Sequence, residues 1–380
     1  MFGISASIFN EAGSLVRDWL KNPLNTSFFY WYFLPVAGFI LLQRFLVGPL
    51  LGWPAPGTFD VQLTQTGNVV ELLLQILNAS FFQLILLPLL GGGLLSALSG
   101  RVLRLYQGTL PIAAPFFRPW LARNRKRNNK LFGRLRALRR QYLFLVTQCV
   151  RLETVNGEEV AQPVTESERA ELIEQLKAET QAVHEELEQK TKAPDLPVDI
   201  DRVGATDLAN TLALAEEYPF ERYAIDTAVF WPRLSAEIES EKLEGLKSGF
   251  AAMNGLLNLS LVIYLFAIEL LLVGLIILTG WTEPSLLFVQ LGRAPIAVIV
   301  VAAAIVSGLL GFSAYRSAVA SARAVGNAMR TAFDYYRGNV LKRFNLKMPE
   351  DIEEERVVWL RLAAFIRRGE TFYFPSEFRT

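Results

Sequence analysis

Phe250-Ala-Ala-Met-Asn254-Gly-Leu-Leu-Asn258-Leu-Ser-Leu-Val-Ile-Tyr-Leu-Phe-Ala-Ile-Glu269-Leu-Leu-Leu-Val-Gly-Leu-Ile-Ile-Leu-Thr-Gly-Trp281 carries one charge, Glu269. A helix crosses the ~30 Å hydrocarbon core of a bilayer with about 20 apolar residues, and this stretch exceeds that length. Three more stretches meet the same test: Phe28 to Trp53, broken only by Arg44; Leu72 to Leu98, with no charge; and Ala294 to Tyr315, with none. The spans pair as 1–2 and 3–4 through short loops, with a long polar segment between the pairs. The expected fold class is an all-α polytopic membrane protein. Its four transmembrane helices form two hairpins, with a mainly helical cytoplasmic domain inserted between spans 2 and 3.

Composition agrees. The 380 residues are 52% hydrophobic and 20% charged, below the ~25% charged of ordinary soluble domains, and mean hydropathy is +0.28. Net charge is only +1, but the cations are segregated. The loop from Pro54 to Val70 has no Lys or Arg, whereas Arg101 and Arg104 follow span 2 and Arg316, Arg323 and Arg330 follow span 4. By the positive-inside rule both termini and the middle segment are cytoplasmic, and a cell inner membrane is the expected location. Phe28 to Phe33 suit the inner interface; Trp53 and Trp281 suit the outer one.

The chain divides into residues 1–27, an interfacial amphipathic helix with Ile4, Ile8, Leu15 and Trp19 in step; 28–100, the first hairpin; 101–150, a basic juxtamembrane helix; 151–235, a cytoplasmic domain; 236–345, the second hairpin with stem helices; and 346–380, a C-terminal helix and tail. The first segment equally suits a helix packed on the cytoplasmic domain. Inside 151–235, Asn156-Gly157 is a hairpin-turn signal, and Thr165 with Glu168 is a capping box opening a helix to about Lys190. Leu172, Leu176, Val183 and Leu187 make that helix's apolar stripe. Farther on, Asp226 is expected to pair with Arg222 or Arg233. In the C-terminal helix, Leu360, Leu362, Phe365 and Ile366 supply the apolar face.

Arg118 to Arg140 holds ten cations and no acid, among them Arg123, Arg125, Lys126, Arg127, Lys130 and Arg134. Beside a membrane span such a cluster contacts anionic lipid headgroups; it also suits phosphate contacts to a nucleotide or oligonucleotide, or an acidic protein partner. Two rows of opposite charge lie on the helices that extend the second hairpin: Glu237, Glu241 and Glu244 before span 3, and Arg316, Arg323, Arg330 and Arg337 after span 4. An antiparallel stem sets Glu244 level with Arg323 and Glu237 level with Arg330.

Polar groups inside spans are expensive and mark function. In span 2 these are Gln75, Asn78 and Gln83. In span 3, Asn254, Asn258 and Glu269 fall within about 60° on a helical projection. The stripe suits a water-filled path or interhelical hydrogen bonds. Arg44 and Glu269 differ by only about 4–5 Å in depth at 1.5 Å per residue, and are expected to pair within a subunit or between neighbours. Enzyme signatures are missing: there is no phosphate-binding loop, no H-E-x-x-H and no G-x-S-x-G. One His and one Cys exclude most nucleophile–base and metal chemistries and leave carboxylate-only chemistry open, and no cofactor is implied.

The strings Glu221-Arg222-Tyr223-Ala224-Ile225-Asp226 to Phe230-Trp231-Pro232-Arg233-Leu234, Phe333-Asp334-Tyr335-Tyr336-Arg337-Gly338 to Leu346, and Glu353-Glu354-Glu355-Arg356 to Leu360 resemble a family of bacterial four-span membrane proteins. The resemblance spans Tyr218 to Phe365. In layout it is similar to membrane effectors of bacterial defence systems, whose oligomers form ion-conducting pores under control of a cytoplasmic ligand or partner. It implies a homo-oligomeric channel and identifies no ligand residue. A membrane-anchored scaffold or sensor for an acidic partner, nucleotide or lipid, and a small-solute transporter, are the alternatives.

Overall fold

The computed structural model describes residues 28–51, 85–127, 150–155, 158–190, 201–281 and 292–369, with isolated positions in 133–145 and 196–199. The chain is mostly helical. Its elements are α1 (Phe29–Leu50), α2 (Leu87–Tyr106), α3 (Ala114–Arg127), β1 (Val150–Val155), β2 (Glu158–Pro163), α4 (Glu166–Lys190), α5 (Asp207–Tyr223), α6 (Thr227–Ser235), α7 (Ser240–Thr279), α8 (Arg293–Arg343) and α9 (Ile352–Arg368). Three of them, α1, α7 and α8, are long and apolar enough to cross a membrane, as in a multi-pass membrane protein. The second expected span, Leu72 to Leu98, lies partly outside the described residues; its later half forms the start of α2. Residues 1–27 and 371–380 lie wholly outside them.

The all-α expectation has one exception. β1 and β2 pair antiparallel in a two-stranded sheet, with Val155 opposite Glu158 across positions 156–157.

The described residues fall into two compact units. The apolar unit holds those up to Arg104 and Ser248–Ser321; the polar unit holds Leu105–Lys247 and those from Ala322 on. In the apolar unit, α1 widens into π turns at Phe29–Phe33 and Gln43–Val47. Each lies just ahead of a proline, Pro35 and Pro49, whose missing N–H removes an i→i−4 bond and lets the turn open. Val47 and Leu50 of α1 pack with Phe266, Leu270, Val273 and Ile277 of α7 and Ile296, Ala297 and Val300 of α8. Glycines allow the close approaches. A Cβ on Gly255 would lie 2.4 Å from the Trp31 ring, and one on Gly92 would lie 3.3 Å from the backbone of Phe33. Gly91 and Gly92 of this run therefore serve close packing, with Val36 against Gly91, whereas Gly93 has open space at its Cβ position. Ser260 donates to the Gly311 carbonyl (2.8 Å) and Ser321 to that of Gly249 (3.4 Å), stitching α7 to α8. Leu265, Ile268, Leu272, Leu275 and Leu278 point outward from α7, the surface a lipid-facing helix presents.

In the polar unit three residues of the α4 stripe pack as its spacing predicts, Leu176 and Val183 against Leu138 and Leu145 with Leu172 beside them, while the Leu187 side chain lies outside the described residues. The Glu168 carboxylate accepts from the backbone N–H (3.1 Å) and hydroxyl (2.6 Å) of Thr165, which holds its acid below the usual range. Thr206 caps α5 by accepting from Ala209 N–H (3.2 Å). α9 buries Glu355, Val358, Trp359 and Leu362. Phe365, expected on its apolar face, is 40% exposed, because the buried arc of α9 lies a turn nearer its N-terminus. Trp359 and Phe230 meet edge to face at 4.8 Å, and Trp231 lies 5.9 Å from Phe333, so α6 is held on α9 and α8 by aromatic contacts.

Candidate functional site

The polar residues expected along one face of span 3 occupy distinct environments. Asn258 is completely buried, and neither its Oδ1 nor its Nδ2 has a hydrogen-bond partner among the described residues. One turn earlier Asn254 is half-buried, its Oδ1 equally unpartnered. Glu269 is half-buried and accepts a hydrogen bond from the Gln43 amide. That corrects the expected pairing within the chain: the residue before Arg44, rather than Arg44 itself, reaches the carboxylate. The π turn at Gln43–Val47 shifts the side-chain phase of α1 at this point, which straight-helix counting of depth does not include. Gln75, Asn78 and Gln83 of span 2 lie outside the described residues.

Beside these groups, a groove of about 320 Å³ between α1 and α7 is lined by Tyr30, Trp31, Leu34, Phe39, Val262 and Phe266. Its lining is almost wholly apolar, without the convergent polar groups that orient a solute.

The stem also takes a different register from the one expected. Glu237 pairs with Arg343 at 2.8 Å, rather than with Arg330. Glu237 sits in the turn before α7 begins at Ser240, so the periodicity of α7 does not extend to it. Lys242 donates to the Tyr336 hydroxyl (3.2 Å), which donates to Glu239 (3.3 Å), aligning the first turn of α7 with the far end of α8. Glu244 is exposed and forms no ion pair among the described residues, so the expected pair with Arg323 is not made. Arg330 instead places its guanidinium 5.4 Å from the Tyr218 ring.

That tyrosine belongs to a cluster for which the sequence carried only the resemblance strings as a signal. Tyr218 donates to both oxygens of Asp334 (3.0 and 3.1 Å) and Tyr223 to Oδ1 (2.6 Å). Arg337 lies 4.1 Å from the Tyr223 ring and donates through Nε to Glu355 Oε1 (2.8 Å), which also accepts from Trp359 Nε1 (3.0 Å). The network clamps α5, α8 and α9 together. Burial, reinforced by the hydrogen bond to Asp334, pushes the Tyr223 phenol up to about 12, and burial likewise raises Tyr218. Both stay protonated at neutral pH and act as donors. Close by, Asp226 caps α6 by accepting from Ala228 N–H (3.1 Å) and pairs with Arg367 of α9, in place of the expected Arg222 or Arg233.

Of the basic segment, Arg123, Arg125 and Lys126 lie on α3, exposed and without an ion pair among the described residues. Arg134 pairs with Glu179 at 3.1 Å on an exposed surface, a contact of little energetic weight. The Arg127 side chain and Lys130 lie outside the described residues. Among the described residues no group of three His, Cys, Asp or Glu side chains is arranged to hold a metal.

No protein-family model matches the chain, and no curated protein or solved structure matches it.

Proposed function

We propose that the chain is the subunit of a homo-oligomeric channel or pore-type effector of a bacterial inner membrane, with four spans, both termini in the cytoplasm, and the polar unit as its regulatory part. Glu269 carries the reading. Within the chain Glu269 accepts from the neutral amide of Gln43, and no cation among the described residues pairs with it. A carboxylate in an apolar helix costs several kcal/mol unless a charge or water reaches it. A permeating cation in a shared path, or Arg44 of a neighbouring copy, supplies that balance.

The test is planar-bilayer recording of the reconstituted full chain beside its native mass. A mass above the monomer and a cation-selective current that Glu269→Gln reduces are expected. Labelling with a charged thiol reagent after Glu269→Cys, in a Cys149→Ser background, reads water access without needing channel opening. A monomeric mass with position 269 sealed from the reagent would sink the channel and leave a membrane-anchored scaffold.

A further inference from the structure

Among the described residues, helix α3 is bound to its own unit along one side. Asn124 Nδ2 donates to the carbonyls of Gly204 (3.0 Å) and Ala205 (3.4 Å). Phe117 closes on Gly108, where a Cβ would lie 3.1 Å from the ring. Next to that bound strip the helix exposes Phe116 and Trp120 at i and i+4, 69% and 48% exposed, and Ile112, 91% exposed, stands in the turn just before the helix. The Phe116 and Trp120 rings meet at 5.4 Å and extend the apolar ridge. Arg123 continues that side into the last turn and Lys126 borders it, while Arg118 and Arg125 stand on the helix's other exposed side. None of these four cations forms an ion pair among the described residues. The sequence holds no acid at all between Glu71 and Glu153.

An exposed aromatic ridge bordered by unneutralised cations is the pattern of a helix lying in the headgroup plane, its apolar side chains at the acyl boundary and its cations at the phosphates. Its place in the chain fits, since only residues 107–113 separate α3 from α2, whose Leu90 and Leu94 are 59% and 62% exposed. We infer that α3 is an interfacial anchor that docks on the anionic surface of the bilayer the chain itself crosses. A nucleic-acid site would use the cations and the aromatic faces, but it gives no role to Ile112 or to Pro115 and Pro119 beside it. This inference is independent of conduction: an anchor serves a channel and a scaffold alike.

The test uses the full chain with Cys149→Ser and a single nitroxide at Ile112→Cys or Phe116→Cys, reconstituted into phosphatidylcholine vesicles with and without phosphatidylglycerol. Relative collision rates with oxygen and with a water-soluble nickel chelate report depth; a label at Glu239→Cys serves as the aqueous reference and as a check of folding. In the anionic vesicles the oxygen-to-chelate ratio at 112 and 116 is expected to exceed the reference several-fold. Joint Arg118→Gln, Arg123→Gln, Arg125→Gln and Lys126→Gln substitution is expected to move it toward the reference. Chelate access in both vesicles, or protection only by an added oligonucleotide, overturns the inference. So does exclusion of both probes, which would mean that protein covers the ridge, and so does a ratio unmoved by charge removal.

Discussion

Glu355→Ala tests the clamp that joins α5, α8 and α9. Glu355 is 3% exposed, and one of its oxygens accepts from both Arg337 and Trp359. Truncation leaves the indole N–H of Trp359, itself 1% exposed, without an acceptor, which costs about 1–3 kcal/mol. It also removes the counter-charge of Arg337. Breaking a fully buried ion pair costs roughly 3–5 kcal/mol, but the Arg337 side chain is 19% exposed and keeps the Tyr223 ring and the Asp334 carbonyl. A total of about 3–4 kcal/mol is therefore expected, and Glu355→Gln, which retains a neutral acceptor, should cost about 1–2 kcal/mol. For a unit of this size these convert to melting shifts of roughly 6–16 °C and 2–8 °C. Thermal unfolding of the detergent-solubilised full chain, followed by tryptophan fluorescence, reads both. Equal shifts for the two variants, or a shift below about 2 °C for alanine, would refute the clamp.

Burial pushes Glu216 up to about 7 from 4.5. The folded chain therefore holds a proton that the unfolded chain releases between those values, and stability falls as pH rises through that window, by on the order of 3 kcal/mol. Denaturation midpoints across that range should show the slope, and Glu216→Gln should flatten it; identical profiles would exclude Glu216 as the cause. Asn258→Leu removes a buried amide with no partner, so the variant should melt higher by about 1–3 kcal/mol of stability; a lower melting point would mean that the amide is satisfied in the membrane. Gly255→Ala should destabilise by about 1–3 kcal/mol through collision with Trp31, while Gly308→Ala, with open space at its Cβ, should be neutral or stabilising by up to about 1 kcal/mol. A common response of the two glycines in a melting assay would contradict the packing of α1 on α7.

Runs without charge were legible as membrane helices because the cost of placing charge in lipid leaves a local mark on composition. The Thr165–Glu168 box and the α4 stripe were legible for a similar reason: capping and helical phase act within a few residues. The candidate site was legible only in its membership. Glu269, Asn254 and Asn258 stand out as polar residues in an apolar helix, but the partner of Glu269 depends on a π turn in a different segment. Glu237 stands in the turn before α7, so helical spacing does not carry its side chain to Arg330, and it meets Arg343 instead. Asp334, with its two tyrosine donors, had no readable signal beyond the distinctive strings, because its partners lie on α5, more than a hundred residues away in sequence.

The order of residues alone settled that this chain carries helices made for lipid, and where its cations gather, since both follow from each residue's own transfer cost and its nearest neighbours. Which amide meets Glu269, which guanidinium meets Glu355, and which side of α3 is left bare were decided only when distant helices packed. Hydrogen bonds and ion pairs act over a few ångströms of space, and the spacing of residues along a chain does not encode which distant groups come within that reach.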